Sequence, residues 1–288
     1  MISIVIVNHN TKDLLKKSLN SAIEQDTGDA EIIVVDNGSA DDSASMVSSL
    51  YSEVKLIQNA ENMLFCKAQN QGIGQARGEF ILCLNSDCVL EKDYLKEALK
   101  IMSIDSRIGM VSGKILRSDK KTIDSTGLFL GRNRKAIERG YGKKDKGQYD
   151  EPGYVFGVTG ACAFFRKDML EDIKDANGYF DERFGMYFED LDLCWRARKK
   201  GWKAYYNPKA VAYHERGGTA IGNNAKKGHN FPRLSDELKK RYIRNRHLCM
   251  KKNDSMLGML MNFPFILLYE IKMLAYQALT LHFCNAKV

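Results

Sequence analysis

The fold class is decided by the stretch Phe80-Ile81-Leu82-Cys83-Leu84-Asn85-Ser86-Asp87, in which an apolar run leads directly into a polar turn. A short, continuous apolar run bounded by turn residues is typical of a strand that is covered on both faces. The stretch therefore predicts a buried strand over Phe80–Leu84. The turn that follows places the carboxylate of Asp87 just beyond the end of that strand.

The same arrangement occurs twice upstream. Ser3–Val7 is an apolar run that ends at Asn8. Glu31–Val35 is a second run, and it is followed at once by Asp36. Segments with helical spacing, such as Lys12–Glu24, separate these strands, which indicates an α/β fold with a mostly parallel central sheet flanked by helices. Ligands of such sheets bind beyond the carboxyl ends of the strands, so the polar strand ends predict a binding site.

Composition excludes several classes of protein. The chain has 288 residues, of which 44% are hydrophobic, 28% are charged and only four are proline. It is therefore neither disordered nor collagenous, and it is long enough to bury a sizeable core. The seven cysteines form no Cys-x-x-Cys pair, which argues against a disulfide framework or a structural zinc site and favours the cytoplasm. We expect no secretory leader, because the apolar start is short and lacks a basic lead-in.

Positive charge is concentrated in the last third of the chain. Residues 1–200 hold 29 basic and 31 acidic side chains, whereas residues 201–288 hold 15 and 5. Leu238–Lys252 is predicted to be a helix with seven basic residues and no acidic one. Such a helix is either a solvated face or a surface that binds anionic lipid, and we favour the second interpretation.

The segment Met256–Phe283 is predicted to be a long, amphipathic, largely apolar helix. It is interrupted by Pro264, Glu270 and Lys272, so we expect it to lie on a membrane surface rather than to cross the bilayer. Upstream, residues 117–153 have poor periodicity and are predicted to form an excursion or mobile loop. Gly217 opens a polar, Gly-containing stretch that we expect to be flexible and to approach a diphosphate closely.

Two carboxylates at neighbouring strand ends are candidate ligand-binding groups. Asp87 can hold Mg²⁺ or Mn²⁺, whose other positions would be filled by phosphate oxygens and water. The alternative is a turn aspartate that caps the next element. Asp36, at the end of a neighbouring strand, favours the first interpretation, because its carboxylate can accept hydrogen bonds from a ribose or a base.

Glu189-Asp190-Leu191-Asp192 lies at the start of a helix predicted over Phe188–Lys200. Carboxylates at this end are stabilised by the helix dipole, which needs no function. One of them can also be a general base that takes a proton from an attacking hydroxyl. The residues alone leave both interpretations open.

His214 ends a predicted strand and precedes the Gly-containing stretch. A lone histidine is most often structural, but at this position it can also supply a nitrogen to the ion held by Asp87. The chain has no P-loop, GxGxxG, nucleophile elbow or HExxH motif. These absences argue against a P-loop NTPase, a Rossmann dehydrogenase, an α/β-hydrolase and a zincin.

Taken in order, the segments resemble a family 2 glycosyltransferase with the GT-A fold, and within it the bacterial rhamnosyltransferase-like branch. The resemblance spans roughly residues 1–252. It rests on Ser3–Asn8, Val34–Ser39, Asn62–Gly72, Leu84–Asp87, Gly160–Cys162, Phe188–Arg196 and His214.

The resemblance implies a role for each matched residue. Asp36, with Asn8 and Asn37, would hold the base or ribose of the donor. Asp87 would hold the divalent cation, with His214 as a further ligand. Asn85 takes the first position of the Asp-x-Asp signature of the family, where an amide would bind ribose or phosphate instead of the ion. Asp190 matches the catalytic base and Glu189 its neighbour.

The resemblance also implies an organisation and an activity. Residues 1–235 would form the GT-A catalytic domain, with a nucleotide-sugar-binding half (1–115) and an acceptor-binding half (116–235), and residues 236–288 would associate with a membrane. The enzyme would move a sugar, rhamnose in this branch, from a nucleotide-diphosphate donor to a glycan or lipid-linked acceptor. It would invert the anomeric carbon and act on cell-surface polysaccharide at the inner face of the cell membrane.

Two other classes remain open from the sequence. One is a nucleotidyltransferase on a similar sheet, which would release pyrophosphate. The other is a non-catalytic protein that binds a membrane or another anion through its basic tail. Nucleic acid is not expected as a partner, because Tyr242 is the only aromatic residue among the charges of 238–252.

Overall fold

The computed structural model describes residues 1–26, 28–216 and 234–285, with side chains up to residue 276. Its strands are β1 (Ile2–Asn8), β2 (Ala30–Asn37), β3 (Lys55–Asn59), β4 (Phe80–Asn85), β5 (Cys88–Leu90), β6 (Ile108–Arg117), β7 (Ile123–Ser125), β8 (Leu128–Leu130), β9 (Ala136–Glu138), β10 (Gly153–Val155), β11 (Cys162–Arg166) and β12 (Lys203–His214). Its helices are α1 (Lys12–Ile23), α2 (Ser43–Leu50), α3 (Phe65–Gln75), α4 (Tyr94–Met102), α5 (Lys167–Ile173), α6 (Glu189–Lys199), α7 (Asp236–Asn253) and α8 (Met256–Asn285).

The central sheet has the strand order β10-β12-β6-β11-β4-β1-β2-β3, with β5 added to β12 and β7 to β6. β1 pairs in parallel with β2 and β4, β3 is parallel to β2, and β12 is parallel to β6. β11 is antiparallel between β4 and β6, so those two strands point the same way. The predicted α/β fold with a mostly parallel sheet is therefore confirmed.

Helices cover both faces of the sheet because the strand residues alternate between two cores. Ile4 and Ile6 of β1 pack with Leu15 and Leu19 of α1, whereas Val5 points to the opposite core. Close packing on that second face needs a glycine. A Cβ atom on Gly72 of α3 would lie 2.2 Å from Val5 Cγ1, so α3 approaches β1 only because this side chain is absent.

The excursion at residues 117–153 is ordered, so the expectation of a mobile loop was wrong. β7 pairs with β6, and β8 and β9 form a hairpin of their own. Leu128 of this hairpin exchanges backbone hydrogen bonds of 2.9 and 3.1 Å with Gly157. The segment lacks periodicity because its strands are only three residues long and are separated by turns.

Helix α7 is not a uniformly solvated basic surface. Arg246 is 2% exposed, donates to the carbonyl of Asn133 and pairs with Glu270. Lys252 Nζ lies 2.7 Å from Asp181 Oδ2 and 3.1 Å from Asp192 Oδ2. The prediction that all seven basic residues face solvent or lipid is therefore wrong for two of them.

The long helix predicted over Met256–Phe283 is present as α8, which continues through Pro264. Met256–Tyr276 is long and apolar enough to cross a membrane by length and composition alone, and its apolar window is not buried inside the protein. Leu260 is 72% exposed and Met261 is 67% exposed. The helix is held at its start by Arg134, which pairs with Asp254 and donates to the carbonyl of Gly258.

Removing the charge of Lys252 tests whether α7 is part of the folded unit. Lys252→Met leaves the fully buried carboxylates of Asp181 and Asp192 with one cationic partner fewer. We expect the free energy of unfolding in urea to fall by about 2–3 kcal/mol, because breaking a buried ion pair leaves a buried charge without its partner. The exposed neighbour provides the control: Lys251→Met should change stability by less than about 0.5 kcal/mol. Equal effects of the two substitutions would contradict the buried role of Lys252.

Candidate active site

Asn8 and Asp36 lie side by side at the carboxyl ends of β1 and β2, where the strand register pairs them directly. Asn8 Nδ2 donates to Asp36 Oδ1 at 2.9 Å, and the Ser39 N–H donates to Asp36 Oδ2 at 3.0 Å. Thr11 Oγ1 donates to Asn8 Oδ1 at 2.6 Å and so fixes the orientation of the amide. Each carboxylate oxygen of Asp36 thus has one protein partner and keeps a second lone pair for a ligand.

The side chain of Asn37, predicted to contact the donor, is bound by other residues of the chain. Its Nδ2 donates to Asn62 Oδ1 at 2.9 Å and to the Leu64 carbonyl at 3.4 Å. Its Oδ1 accepts from Asn59 Nδ2 at 3.0 Å and from the Met63 N–H at 2.9 Å. The amide is saturated by these four bonds. The side chain of Asn37 therefore holds the loop that leads into α3, and its contact with the donor stays a prediction.

Asn85 and Asp87 flank the turn between β4 and β5. The Asn85 side chain makes no hydrogen bond to another part of the chain that the structure describes, and its backbone N–H donates to the Ala161 carbonyl at 2.9 Å. Asp87 is 9% exposed, and its Oδ1 lies 3.1 Å from His214 Nε2. The two residues meet because β5 pairs antiparallel with β12, which sets Cys88 opposite His214. The structure thus brings together the two predicted metal ligands.

A third residue, Asp124, completes this group, and the sequence did not indicate it. His214 Nδ1 lies 2.8 Å from Asp124 Oδ2, and Arg216 Nε donates to the other oxygen of the same carboxylate. Burial would lower the pKa of His214, but the carboxylates of Asp87 and Asp124 outweigh burial and raise that pKa to about 9. Asp124 lies on β7, inside the excursion whose pattern gave no signal.

The donor atoms present fit a divalent cation. Asp87 Oδ1 and His214 Nε2 are 3.1 Å apart. Neighbouring ligands of an octahedral ion with bonds of about 2.1 Å are about 3 Å apart, so one ion can bind both atoms. The carboxylate of Asp124 orients the imidazole in the way that outer partners of metal-binding histidines do. No group of three or more His, Cys, Asp or Glu suited to a metal ion occurs in the described ranges, so phosphate oxygens and water would supply the other ligands.

Glu189 and Asp190 occupy the first turn of α6. Asp190 Oδ1 accepts from the Leu191 N–H at 2.7 Å, and Oδ2 accepts from the Gly160 N–H at 3.2 Å. Burial raises the pKa of Asp190, although these backbone donors oppose the shift. Glu189 is 8% exposed, and its Oε2 has no hydrogen-bond partner among the residues described. Burial and the charge of Asp190 raise the pKa of Glu189.

The turn before α6 is strained and is held from α7. Tyr187 and Phe188 both have φ of +70°, which costs an L-residue about 1–2 kcal/mol. Asn245 Nδ2 donates to the carbonyls of Phe184, Met186 and Tyr187, each at 2.8 Å. Helix α7 thus fixes the turn that presents Glu189 and Asp190.

Asp192, the third acidic residue of this turn, is structural. It is fully buried, and its carboxylate binds Arg196 Nε at 2.8 Å and Asn253 Nδ2 at 2.7 Å. It is therefore unavailable as a base, and only Glu189 and Asp190 remain as candidates for that role.

Two adjacent residues join the halves of the site. The Gly160 N–H binds the carboxylate of Asp190, and the Ala161 carbonyl accepts from the backbone of Asn85. The candidate base and the metal-binding turn are thus held on consecutive residues. Gly217 and Gly218, expected to approach a diphosphate, lie outside the described residues.

A parallel sheet with polar strand ends, a carboxylate–imidazole pair beside one of them and an acid at a helix start are the features expected of the GT-A fold. The chain belongs to glycosyl transferase family 2, whose model matches residues 3–174. The rhamnosyltransferase-like branch is not tested by this match and stays a prediction.

Among curated proteins, poly-beta-1,6-N-acetyl-D-glucosamine synthase of Staphylococcus aureus is 23% identical over 214 residues, which cover 74% of this chain and 49% of that protein. The chain thus spans about half the length of the curated relatives it matches.

Solved structures support the fold. TarS residues 1–349 of S. aureus with UDP have a TM-score of 0.62 and 18% identity, over 92% of this chain and 69% of that one. GalNAc-T7 with UDP, GalNAc and Mn²⁺ has a TM-score of 0.63 and 16% identity, over 86% and 48%. At these identities the likeness shows the GT-A fold and no more.

Substitution of Asp124 tests the metal site without changing either of its two candidate ligands. Asp124→Asn removes the carboxylate that orients His214, so the Kd for Mn²⁺, measured by calorimetric titration in the presence of a nucleoside diphosphate, should rise about 10–100-fold. Asp168→Asn, an exposed change on α5, should leave that Kd unchanged. An unchanged Kd in folded Asp124→Asn would contradict the assignment of His214 as a ligand.

Proposed function

We propose that the protein transfers a sugar from a nucleotide-diphosphate donor to a hydroxyl of a glycan or lipid-linked acceptor, with inversion at the anomeric carbon. The observation that carries the proposal is that two consecutive residues, Gly160 and Ala161, bind the two groups that the reaction needs. One is the Asp87–His214 pair beside the turn, and the other is the carboxylate of Asp190.

The donor would lie along the carboxyl ends of β1, β2 and β4. Asp36, held by Asn8, would accept hydrogen bonds from the ribose or the base. The side chain of Asn85 would donate to ribose or phosphate. Asp87 and His214 would hold Mg²⁺ or Mn²⁺, and such an ion neutralises the charge that develops on the leaving nucleoside diphosphate.

Asp190 would be the general base. Burial raises its pKa toward neutrality, which makes the carboxylate a better proton acceptor than a solvated aspartate. The two backbone N–H groups hold it in one orientation, so it can take the proton as the acceptor oxygen attacks. A single displacement needs one base and no enzymic nucleophile. Burial and the charge of Asp190 raise the pKa of the neighbouring Glu189, which favours its protonated form and makes Asp190 the first candidate.

The donor sugar is the finer part of the proposal. The branch resemblance favours rhamnose, whereas the curated relatives are named for N-acetyl-D-glucosamine. Release of a nucleoside diphosphate from a panel of nucleotide-sugars would identify the donor. Release of pyrophosphate instead would favour a nucleotidyltransferase, and no release with any donor would favour a binding protein.

Asp190→Asn separates the base from a binding role. The amide keeps the shape of the carboxylate but cannot accept the proton, so kcat should fall by about 10² or more while the donor Kd stays within about twofold. The matched control is Asp13→Asn, an exposed aspartate in the first turn of α1, which should change neither constant. A parallel loss of donor binding would make Asp190 a binding residue and leave Glu189 as the candidate base.

We also propose that the protein attaches to the inner face of the cell membrane. The support is the exposed apolar surface of α8, next to exposed basic residues of α7 such as Lys240, Arg244 and Lys251. Apolar burial and attraction to anionic lipid would act together. A lipid-linked acceptor would suit this location.

Vesicle sedimentation tests the attachment. The protein should sediment with anionic vesicles and be only partly released by high salt, because salt does not screen apolar burial. Leu260→Gln with Met261→Gln should weaken the salt-resistant part, whereas Lys240→Gln with Lys251→Gln should weaken the salt-sensitive part. Equal binding to neutral and anionic vesicles would show that the basic residues are only solvated, and no binding would contradict the attachment.

A further inference from the structure

We propose that Glu138 binds the acceptor, through a hydrogen bond to a sugar hydroxyl that orients the attacking oxygen toward Asp190. This assignment rests on the proposed function. Glu138 ends β9 in the excursion that the sequence left without a role.

Backbone contacts link Glu138 to the segment that binds the candidate base. Glu138 pairs with Leu128 across the β8–β9 hairpin. Leu128 in turn exchanges two backbone hydrogen bonds with Gly157. Gly157 is three residues before Gly160, whose N–H binds the carboxylate of Asp190. Glu138 thus joins the backbone network that holds the base.

The side chain of Glu138 is held by a residue next to the metal-binding group. Ser125 Oγ donates to Glu138 Oε2. Ser125 directly follows Asp124, whose carboxylate binds His214. Glu138 is therefore held next to the metal-binding group, and it is close enough to the candidate base for the charge of Asp190 to act on it.

The surrounding charges indicate what Glu138 can bind. Burial and the charge of Asp190 raise the pKa of Glu138 to about 7, against the hydrogen bond from Ser125 and the charge of Arg216. No Lys, Arg or His of the described ranges forms an ion pair with Glu138. The nearby Arg216 pairs with Asp124 instead. Acidic neighbours repel a phosphate, whereas a carboxyl group in either protonation state can bind a neutral hydroxyl. A sugar hydroxyl is thus the ligand that fits.

A second buried carboxyl group, that of Glu189, lies beside the candidate base. Glu189 Oε2 is buried and has no partner among the described residues. A Cβ atom at Gly160 would lie 3.7 Å from Asp190 Cβ and 3.8 Å from Glu189 Oε1, so Gly160 borders both acids. Buried polar atoms in folded proteins are nearly always hydrogen-bonded, which indicates that a ligand or water completes this site.

The test compares acceptor and donor constants for Glu138→Gln, once the panel has identified a donor. The amide loses the acceptor capacity of one oxygen, so the KM for the acceptor should rise about tenfold or more, while the KM for the donor changes less than about twofold. Ser125→Ala leaves the carboxyl group of Glu138 in place but removes its anchor, together with the acceptor of the Gly127 N–H, and should raise the acceptor KM by a smaller factor. Glu151→Gln, an exposed change in the same excursion, should alter neither constant.

Each outcome decides the assignment. A selective rise in acceptor KM supports it, and Ser125→Ala carries the test alone if Glu138→Gln does not fold. A rise in donor KM instead would assign Glu138 to the donor sugar and overturn the proposal, as would unchanged constants in an active variant. A wild type that releases no nucleoside diphosphate from any donor would overturn the proposed function itself, which distinguishes the two failures.

Discussion

The buried chain of contacts from Asp87 through His214 to Asp124 is the interaction on which the rest of the site depends. A buried imidazolium or carboxylate is costly unless it is paired, and each of these groups is nearly inaccessible to water. Asp87 comes from the turn between β4 and β5, His214 from the end of β12 and Asp124 from β7, so their pairing fixes these three segments relative to one another. Removing Asp124 would leave His214 and Arg216 without a shared partner.

A second constraint joins the C-terminal helices to the catalytic unit. The left-handed backbone at Tyr187 and Phe188 persists because Asn245 binds three carbonyls of that turn. Lys252 adds ion pairs to the acids on either side of the same helix start. The boundary at residue 235 that the resemblance implies therefore separates in sequence two parts that are packed together, since α7 supports the turn that carries the candidate base.

The sequence predicted the long elements and the residues at their ends, because apolar runs and helical spacing set both. Asn8, Asp36, Asp87 and Asp190 could be found in this way. Asp124 and Glu138 could not, because each lies on a strand of three residues, which is too short to show a period. The hydrogen bonds of Asn37 could not be predicted for another reason: a polar residue at a strand end can bind a ligand or hold the next loop, and the sequence does not distinguish the two.

The contacts of the β8–β9 hairpin explain why the excursion is fixed in place. Its turn carries Asn133, which accepts from Arg246 of α7, and Arg134, which holds the start of α8. Four residues beyond Arg134 along the same hairpin, Glu138 is held by Ser125 beside the metal-binding group. One short element thus contacts Gly157, the C-terminal helices and the residue next to the metal-binding group. Because each contact involves a buried or paired polar group, the hairpin cannot move from any one of them without leaving that group unsatisfied.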